Sequence, residues 1–162
     1  MAMFCYQCQE AAKNEACTVR GVCGKSPEVS HLQDLLIWLL KGISFWAVRA
    51  RKNLSIVDPE TDLFVAEALF ATITNVNFDP DRYVAWIEEA VARRDALRQR
   101  AQARCSELHG SEACDSNLPE YLSWTPKSYD ARILEMKGQR VGVMADPDLD
   151  EDIRSLRELL VY

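Results

Sequence analysis

The sequence predicts a mainly α-helical protein, in which a cysteine-rich N-terminal loop precedes a three-helix bundle and the start of a second helical bundle. Apolar residues recur at helical spacing over most of the 162 residues. Aspartate–proline pairs, which start helices, separate successive apolar stretches, and glycine and proline number only six each. We therefore divide the chain into a cysteine-rich segment, a bundle, a linker and a last helix, at residues 1–29, 30–110, 111–147 and 148–162.

The first segment contains four cysteines within nineteen residues: Cys5, Cys8, Cys17 and Cys23. Thiolates bind soft metals, chiefly zinc, copper(I) and the iron of iron–sulfur clusters. Zinc sites usually pair two short C-x2-4-C knuckles. The spacing here, C-x2-C-x8-C-x5-C, has only one knuckle and therefore favours an iron–sulfur cluster over zinc. Disulfides and free thiols are the remaining alternatives.

Glycines and charged residues surround these cysteines. Gly21 and Gly24 flank Cys23 and can turn backbone N–H groups towards sulfur, which tunes reduction potential. Three basic side chains balance three glutamates across residues 1–30, at Lys13, Arg20 and Lys25 and at Glu10, Glu15 and Glu28. These charges either place positive charge beside an anionic cluster or form a solvated face.

Composition and hydropathy indicate a cytoplasmic protein. The N-terminus lacks the apolar core of a secretory signal, and no run of about eighteen apolar residues is present to span a membrane. The longest apolar stretch is interrupted by Lys41, Gly42 and Ser44. Thiols stay reduced in the cytosol, which argues against disulfides. The net charge of −6 argues against a general nucleic-acid binder.

The bundle begins with a helix whose apolar face is broad. Ser30 and Gln33 form a capping-box pattern at its predicted start. The apolar side chains that follow recur at helical spacing, at Leu32, Leu35, Leu36, Leu39, Leu40, Ile43 and Ala47. Ile37 and Trp38 widen this stripe, so we expect the helix to lie at the centre of the bundle.

Two further helices follow the same start signal. Asp58 precedes Pro59 and Asp79 precedes Pro80, which is the pattern of an N-cap followed by proline at the first helical position. Gly110 is the predicted end of the third helix. Short connections place neighbouring helices antiparallel, so residues 30–110 are predicted to form a three-helix bundle.

Polar residues of the bundle offer no evident catalytic group. His31 falls in the predicted cap and His109 near a helix C-terminus, where an imidazolium suits the helix dipole. We assign neither a catalytic nor a ligand role. Five arginines face only Asp95 in one stretch of the third helix: Arg93, Arg94, Arg98, Arg100 and Arg104. They form either a solvated helix face or a docking patch for an acidic redox partner.

The third segment, residues 111–147, is predicted to be a linker because Ser, Asn, Asp and Pro are frequent there. A short helix is expected over about 128–136. Val141, Val143 and Met144 are expected to form a brief extended stretch.

The last segment is predicted to be a helix that begins with a capping box at Asp148 and Glu151. The acidic run over 146–152 is not a calcium loop, because Glu151 replaces the required glycine and Arg157 the bidentate glutamate. Residues 156–162 align without gaps on residues 32–38. We therefore expect the chain to be a fragment that stops inside the first helix of a second bundle.

Five segments stand out as a set: MFCYQCQE, ACTVRGVCGK, LQDLLIWLLKGISFWA, ALFATITNVNFD and EDIRSLRELLVY. Together they resemble the N-terminal region of the hybrid-cluster protein family, also called hydroxylamine reductases. The resemblance covers most of the chain and is weakest over about 105–145. It implies that Cys5, Cys8, Cys17 and Cys23 are ligands of a [4Fe–4S] cluster, since their spacing resembles the [4Fe–4S] form and not the [2Fe–2S] form.

The resemblance also implies a function for the parent protein. Family members are cytoplasmic oxidoreductases proposed to reduce hydroxylamine to ammonia, or nitric oxide to nitrous oxide, in defence against nitrosative stress. Their substrate is reduced at a hybrid iron–sulfur–oxygen cluster whose ligands lie far downstream, so this chain is expected to lack the catalytic centre and to keep the electron relay. The implied partners are an external reductase and the remaining domains of the same protein.

The residues themselves, apart from the resemblance, leave two other classes of protein open. One is a zinc-stabilised helical interaction module, and the other is a stand-alone ferredoxin-like electron carrier. Outside the motif, Cys105 and Cys114 are expected to be free thiols, with a redox pair as the alternative.

Overall fold

The computed structural model of the chain describes residues 2–73, 76–110, 118–142 and 148–161. Within these residues the chain forms the helices α1 (Pro27–Leu54), α2 (Pro59–Ala71), α3 (Pro80–His109), α4 (Ala131–Val141) and α5 (Glu151–Val161). Short 3-10 turns lie at Ala12–Asn14 and Glu120–Leu122. The mainly α-helical prediction is therefore confirmed.

Helix α1 lies at the centre, in contact with α2, α3, α4 and the 3-10 turn at Glu120–Leu122. The predicted apolar stripe is its buried face, with full or nearly full burial of Leu32, Leu35, Leu36, Leu39, Leu40 and Ile43. Each fully buried side chain of this kind contributes about 1.5–3 kcal/mol relative to exposure. A central helix therefore follows from the apolar pattern.

The helix starts follow local sequence signals, with one correction. Asp58 and Asp79 are the N-caps of α2 and α3, as predicted. Helix α1 begins earlier than predicted, at Pro27, and the hydroxyl of Ser26 caps it by accepting from a backbone N–H. The predicted capping box at Ser30 is wrong, because an N-cap followed by proline already starts the helix one turn earlier.

A buried hydrogen-bond network joins the first three helices. The Tyr83 hydroxyl donates to the Ala71 carbonyl oxygen at 2.6 Å and accepts from Gln33 Nε2 at 2.7 Å. Burial raises the pKa of Tyr83 from 10.0 to about 12. The neutral phenol therefore fixes α1, α3 and the end of α2 relative to one another.

The predicted linker contributes a helix to the same core. In α4, Leu134 is fully buried against the α1 cluster, and Glu135 Oε1 lies 3.2 Å from His31 Nδ1. Val141 ends α4 instead of forming the expected extended stretch. Val143 and Met144 lie outside the described residues.

A second buried cluster sits towards the other end of α1. Trp46 and Leu97 pack there with Leu122 of the 3-10 turn, and the backbone of Tyr121 in the same turn approaches α1 closely at Gly42. The turn therefore packs against the second halves of both α1 and α3.

Four of the five arginines in the arginine-rich stretch of α3 are paired with acids. Arg94 is fully buried and donates to Asp95. Three other arginines of this stretch pair with carboxylates, in the pairs Arg93–Glu89, Arg100–Asp58 and Arg104–Glu107. Arg93, Arg100 and Arg104 therefore fit an ion-paired helix face, and the docking of an acidic redox partner at this stretch stays a prediction.

Helix α5 presents apolar side chains to solvent, with Leu156, Leu159 and Leu160 all more than half exposed. Asp150 caps its start by accepting from the N–H of Asp152 at 2.9 Å. A second bundle around this helix stays a prediction. None of the helices in the described ranges is long and apolar enough to cross a bilayer.

Candidate metal centre

The cysteine-rich loop is organised by a backbone pair between its first and third cysteines. The Cys5 N–H donates to the Cys17 carbonyl oxygen at 3.1 Å, and the Cys17 N–H donates back to the Cys5 carbonyl oxygen at 2.9 Å. Met3 and Phe4, just before the pair, are buried and anchor it to the protein. The structure therefore brings together two predicted ligands that are separated by a long gap in sequence.

The other two cysteines lie in tight turns of the same loop. The Cys8 carbonyl oxygen accepts from the Ala11 N–H at 3.2 Å, just before the 3-10 turn at Ala12–Asn14. Cys23 lies in a turn that is closed by the Gly21 N–H, which donates to the Lys25 carbonyl oxygen at 2.9 Å.

The glycines beside Cys23 act differently from the sequence expectation. Their N–H groups donate to carbonyl oxygens, Gly21 to Lys25 and Gly24 to Gly21, and not to sulfur. The turn satisfies both donors within itself, so neither is free to point at a ligand. Gly21 instead provides space, because a Cβ there would lie 2.9 Å from Lys25 Cβ and 3.1 Å from Cys23 Sγ.

None of the four cysteines of the motif is in a disulfide in the structure. Cys17 is buried, whereas Cys5, Cys8 and Cys23 are half-buried. Across the described ranges, no three or more His, Cys, Asp or Glu side chains are gathered closely enough to hold one metal ion. The shared ligation of one cluster by these four cysteines stays a prediction.

Lys25 is the charged residue that the structure places against the motif. Its side chain is only 1% exposed, and its Nζ donates to Cys5 Sγ at 3.6 Å and to Gln7 Oε1 at 3.2 Å. Lys13 and Arg20 are exposed and belong to the solvated surface of the loop. Lys25 therefore fits the interpretation that positive charge lies beside the cysteines. Lys13 and Arg20 fit the other interpretation, that of a solvated face. Gln7 carried no signal in the sequence beyond its position next to Cys8.

The donor set fits an anionic thiolate centre. Lys25 forms no ion pair with a carboxylate of the described residues, although burying an ammonium group without compensating charge is costly. Its two acceptors are a neutral amide oxygen and the sulfur of Cys5. Cysteine sulfur that ligates a metal is a thiolate, and a thiolate at Cys5 would supply the missing negative charge.

The remaining candidate residues lie away from such chemistry. His31 is buried within α1 and contacts Glu135, and His109 is the exposed last residue of α3. Cys105 is disulfide-bonded, so the expected free thiol at this position is wrong. That expectation rested on the redox state of the compartment, which does not determine whether two particular thiols are close. Cys114 lies outside the described residues.

Fold and site together define a class of protein, a helical-bundle domain whose N-terminal loop carries four cysteines that are not in disulfides. The chain belongs to the Prismane/CO dehydrogenase family, which it matches over residues 3–162. The resemblance found in the sequence motifs is therefore confirmed at the level of the family.

Several relatives named hydroxylamine reductase are similar over nearly the whole chain. The protein from Kosmotoga olearia is 52% identical over 162 residues, or 100% of this chain. The protein from Thermosipho melanesiensis is 51% identical over 160 residues, or 99% of this chain. The chain spans only 28% of the length of each of these relatives.

Proposed function

We propose that this chain is the N-terminal electron-transfer region of a hydroxylamine reductase-like oxidoreductase, in which Cys5, Cys8, Cys17 and Cys23 hold one [4Fe–4S] cluster. The observation that carries the proposal is the buried ammonium of Lys25, which donates to Cys5 Sγ without a carboxylate partner in the described chain. The membership of the family and the spacing of the four cysteines, none of which is in a disulfide, support the same assignment.

The loop has the features that such a site needs. A bound cluster of this type accepts and donates one electron, and burial and hydrogen bonds to its sulfurs set its potential. The backbone pair fixes Cys5 and Cys17 in register, and Met3 and Phe4, which precede Cys5, are buried. Each of the four thiolates would bind a different iron atom of the cluster. The four sulfurs would therefore surround the cluster and would not all lie within bonding distance of a single ion.

The activity of the longer parent belongs to the same proposal. The relatives' name points to reduction of hydroxylamine to ammonia, with reduction of nitric oxide to nitrous oxide as the related reaction in nitrosative-stress defence. An external reductase in the cytoplasm would supply electrons to this region. The hybrid cluster and the substrate site would lie in the part of the parent that this chain does not span, so the chain alone is expected to be inactive.

The test is anaerobic purification of residues 1–162 followed by iron and sulfide analysis and by EPR of the dithionite-reduced protein. We expect about four iron and four sulfide ions per chain and the EPR signal of a reduced cubane. Cys17→Ala removes a buried ligand and should abolish the signal. Cys114→Ala removes a cysteine outside the motif and serves as the matched control, with unchanged iron content.

Two results would contradict the proposal. A colourless protein with one zinc ion per chain would support a zinc-stabilised interaction module instead. Full retention of iron and of the EPR signal in Cys17→Ala would show that the motif is not the ligand set.

A further inference from the structure

We propose that Lys25 is a positioning residue that sets the reduction potential of the centre, because its buried ammonium group stabilises the reduced state through Cys5. The inference rests on the proposed function, since it assumes a cluster bound by the four cysteines. It adds a role for a residue outside the ligand set.

The position of Lys25 Nζ is fixed from two sides. Nζ donates to Cys5 Sγ at 3.6 Å, within hydrogen-bond range for sulfur, and the Gln7 side-chain oxygen at 3.2 Å holds it from the other side. The stem of the side chain is enclosed as well, because the whole residue is only 1% exposed. The ammonium group therefore cannot swing out to water without rearrangement of the turn.

Burial makes this charge effective. An exposed lysine is screened by water and salt, whereas a charge in a low-dielectric environment acts on its neighbours several times more strongly. Lys25 is 1% exposed, and no carboxylate of the described chain neutralises it. Of its two acceptors, only the sulfur of Cys5 can carry a negative charge.

The direction of the effect follows from the charge balance. Reduction adds one electron, supplied by dithionite, to the bound centre and breaks no bond to Lys25. The reduced state is more negative by one unit, so a fixed cation and a hydrogen bond to a ligand sulfur stabilise it more than the oxidised state. Lys25 thus raises the midpoint potential.

The experiment is an EPR-monitored redox titration of the chain loaded with its cluster. In Lys25→Met the charge and the donor are lost while the apolar stem is kept, and the midpoint potential should fall. Lys25→Arg keeps the charge and should stay closer to the unaltered chain. Lys13→Met removes one positive charge from an exposed position of the same loop, and its potential should match that of the unaltered chain.

The outcomes separate this inference from the proposed function. Absence of iron and of an EPR signal in the unaltered chain would overturn the proposed function itself. A loaded Lys25→Met chain with an unchanged potential, or with the same small shift as Lys13→Met, would overturn the role of Lys25 alone. If Lys25→Met does not load, iron content decides: loading in Lys25→Arg supports the need for charge, and loading in neither variant indicates a packing role and overturns the inference.

Discussion

Gly42 lies in the middle of α1, where the 3-10 turn at Glu120–Leu122 crosses the helix, and Gly42→Ala tests how closely these elements pack. A Cβ at this position would lie 2.3 Å from the Tyr121 carbonyl oxygen and 3.2 Å from Arg94 Cδ. The oxygen belongs to the backbone, so a rotamer change cannot relieve the contact. Either α1 or the turn must move by about 1 Å to reach an ordinary contact distance.

Two opposing effects set the size of the change. Alanine is the better helix former, which favours the variant by about 1 kcal/mol. Overpacking of a rigid contact costs about 1–3 kcal/mol, and movement of the turn also weakens the bond in which Arg94 Nη1 donates to the Tyr121 carbonyl oxygen at 3.4 Å. The steric and hydrogen-bond losses outweigh the propensity gain, and we expect a net loss of about 1–2 kcal/mol in the free energy of unfolding.

The assay is urea denaturation followed by far-UV circular dichroism, with the free energy of unfolding compared between variants. Ser44→Ala is the matched control, because Ser44 is exposed on the same helix two residues further on. Its change in unfolding free energy should stay within about 0.5 kcal/mol. A Gly42→Ala chain as stable as Ser44→Ala, or more stable than the unaltered chain, would refute the close approach.

Further predictions concern the buried tyrosine and one helix cap. Tyr83→Phe removes the partner of Gln33 Nε2 and of the Ala71 carbonyl oxygen and should lower the free energy of unfolding by about 1–3 kcal/mol in urea denaturation. Because burial raises the pKa of Tyr83 from 10.0 to about 12, its contribution is present below pH 10 and lost as the pH rises towards 12; an equally steep alkaline loss in Tyr83→Phe would contradict this. Asp58→Ala removes the cap that accepts from the Thr61 N–H at 3.1 Å and should cost about 1 kcal/mol. The Thr61 backbone hydrogen bond holds the pKa of Asp58 below 3.8. The extra stability of the unaltered chain over Asp58→Ala should therefore disappear as the pH falls through that lowered pKa.

The fold was predictable wherever short-range chemistry decides it. Asp58 and Asp79 start their helices because a carboxylate cap and a proline at the first helical position act within one turn. Helix α1 begins at Pro27 by the same device, and the error at Ser30 came from preferring a second valid signal a few residues downstream. Local signals can compete, and the one that extends the helix furthest into a packed core prevails.

The candidate site was only partly predictable. The four cysteines are recognisable by spacing, but the pairing of Cys5 with Cys17 depends on backbone contacts across the loop. Charge counting showed that Lys13 and Lys25 belong to a neutral segment, and it could not tell which of them is buried. That distinction depends on how the turn at Gly21 folds back.

The sequence by itself determined the helical class, the central place of α1, two of the helix starts, the four-thiol motif and the family. These features depend on periodicity, capping and motif spacing, which are properties of residues close together in the chain. Only the tertiary structure decided that α4 joins the core, that Gly42 is in close contact with the backbone of Tyr121, and that Lys25 points its ammonium group at Cys5. Such contacts join residues far apart in the chain, and their energies depend on burial and shape complementarity, which exist only once the elements have packed.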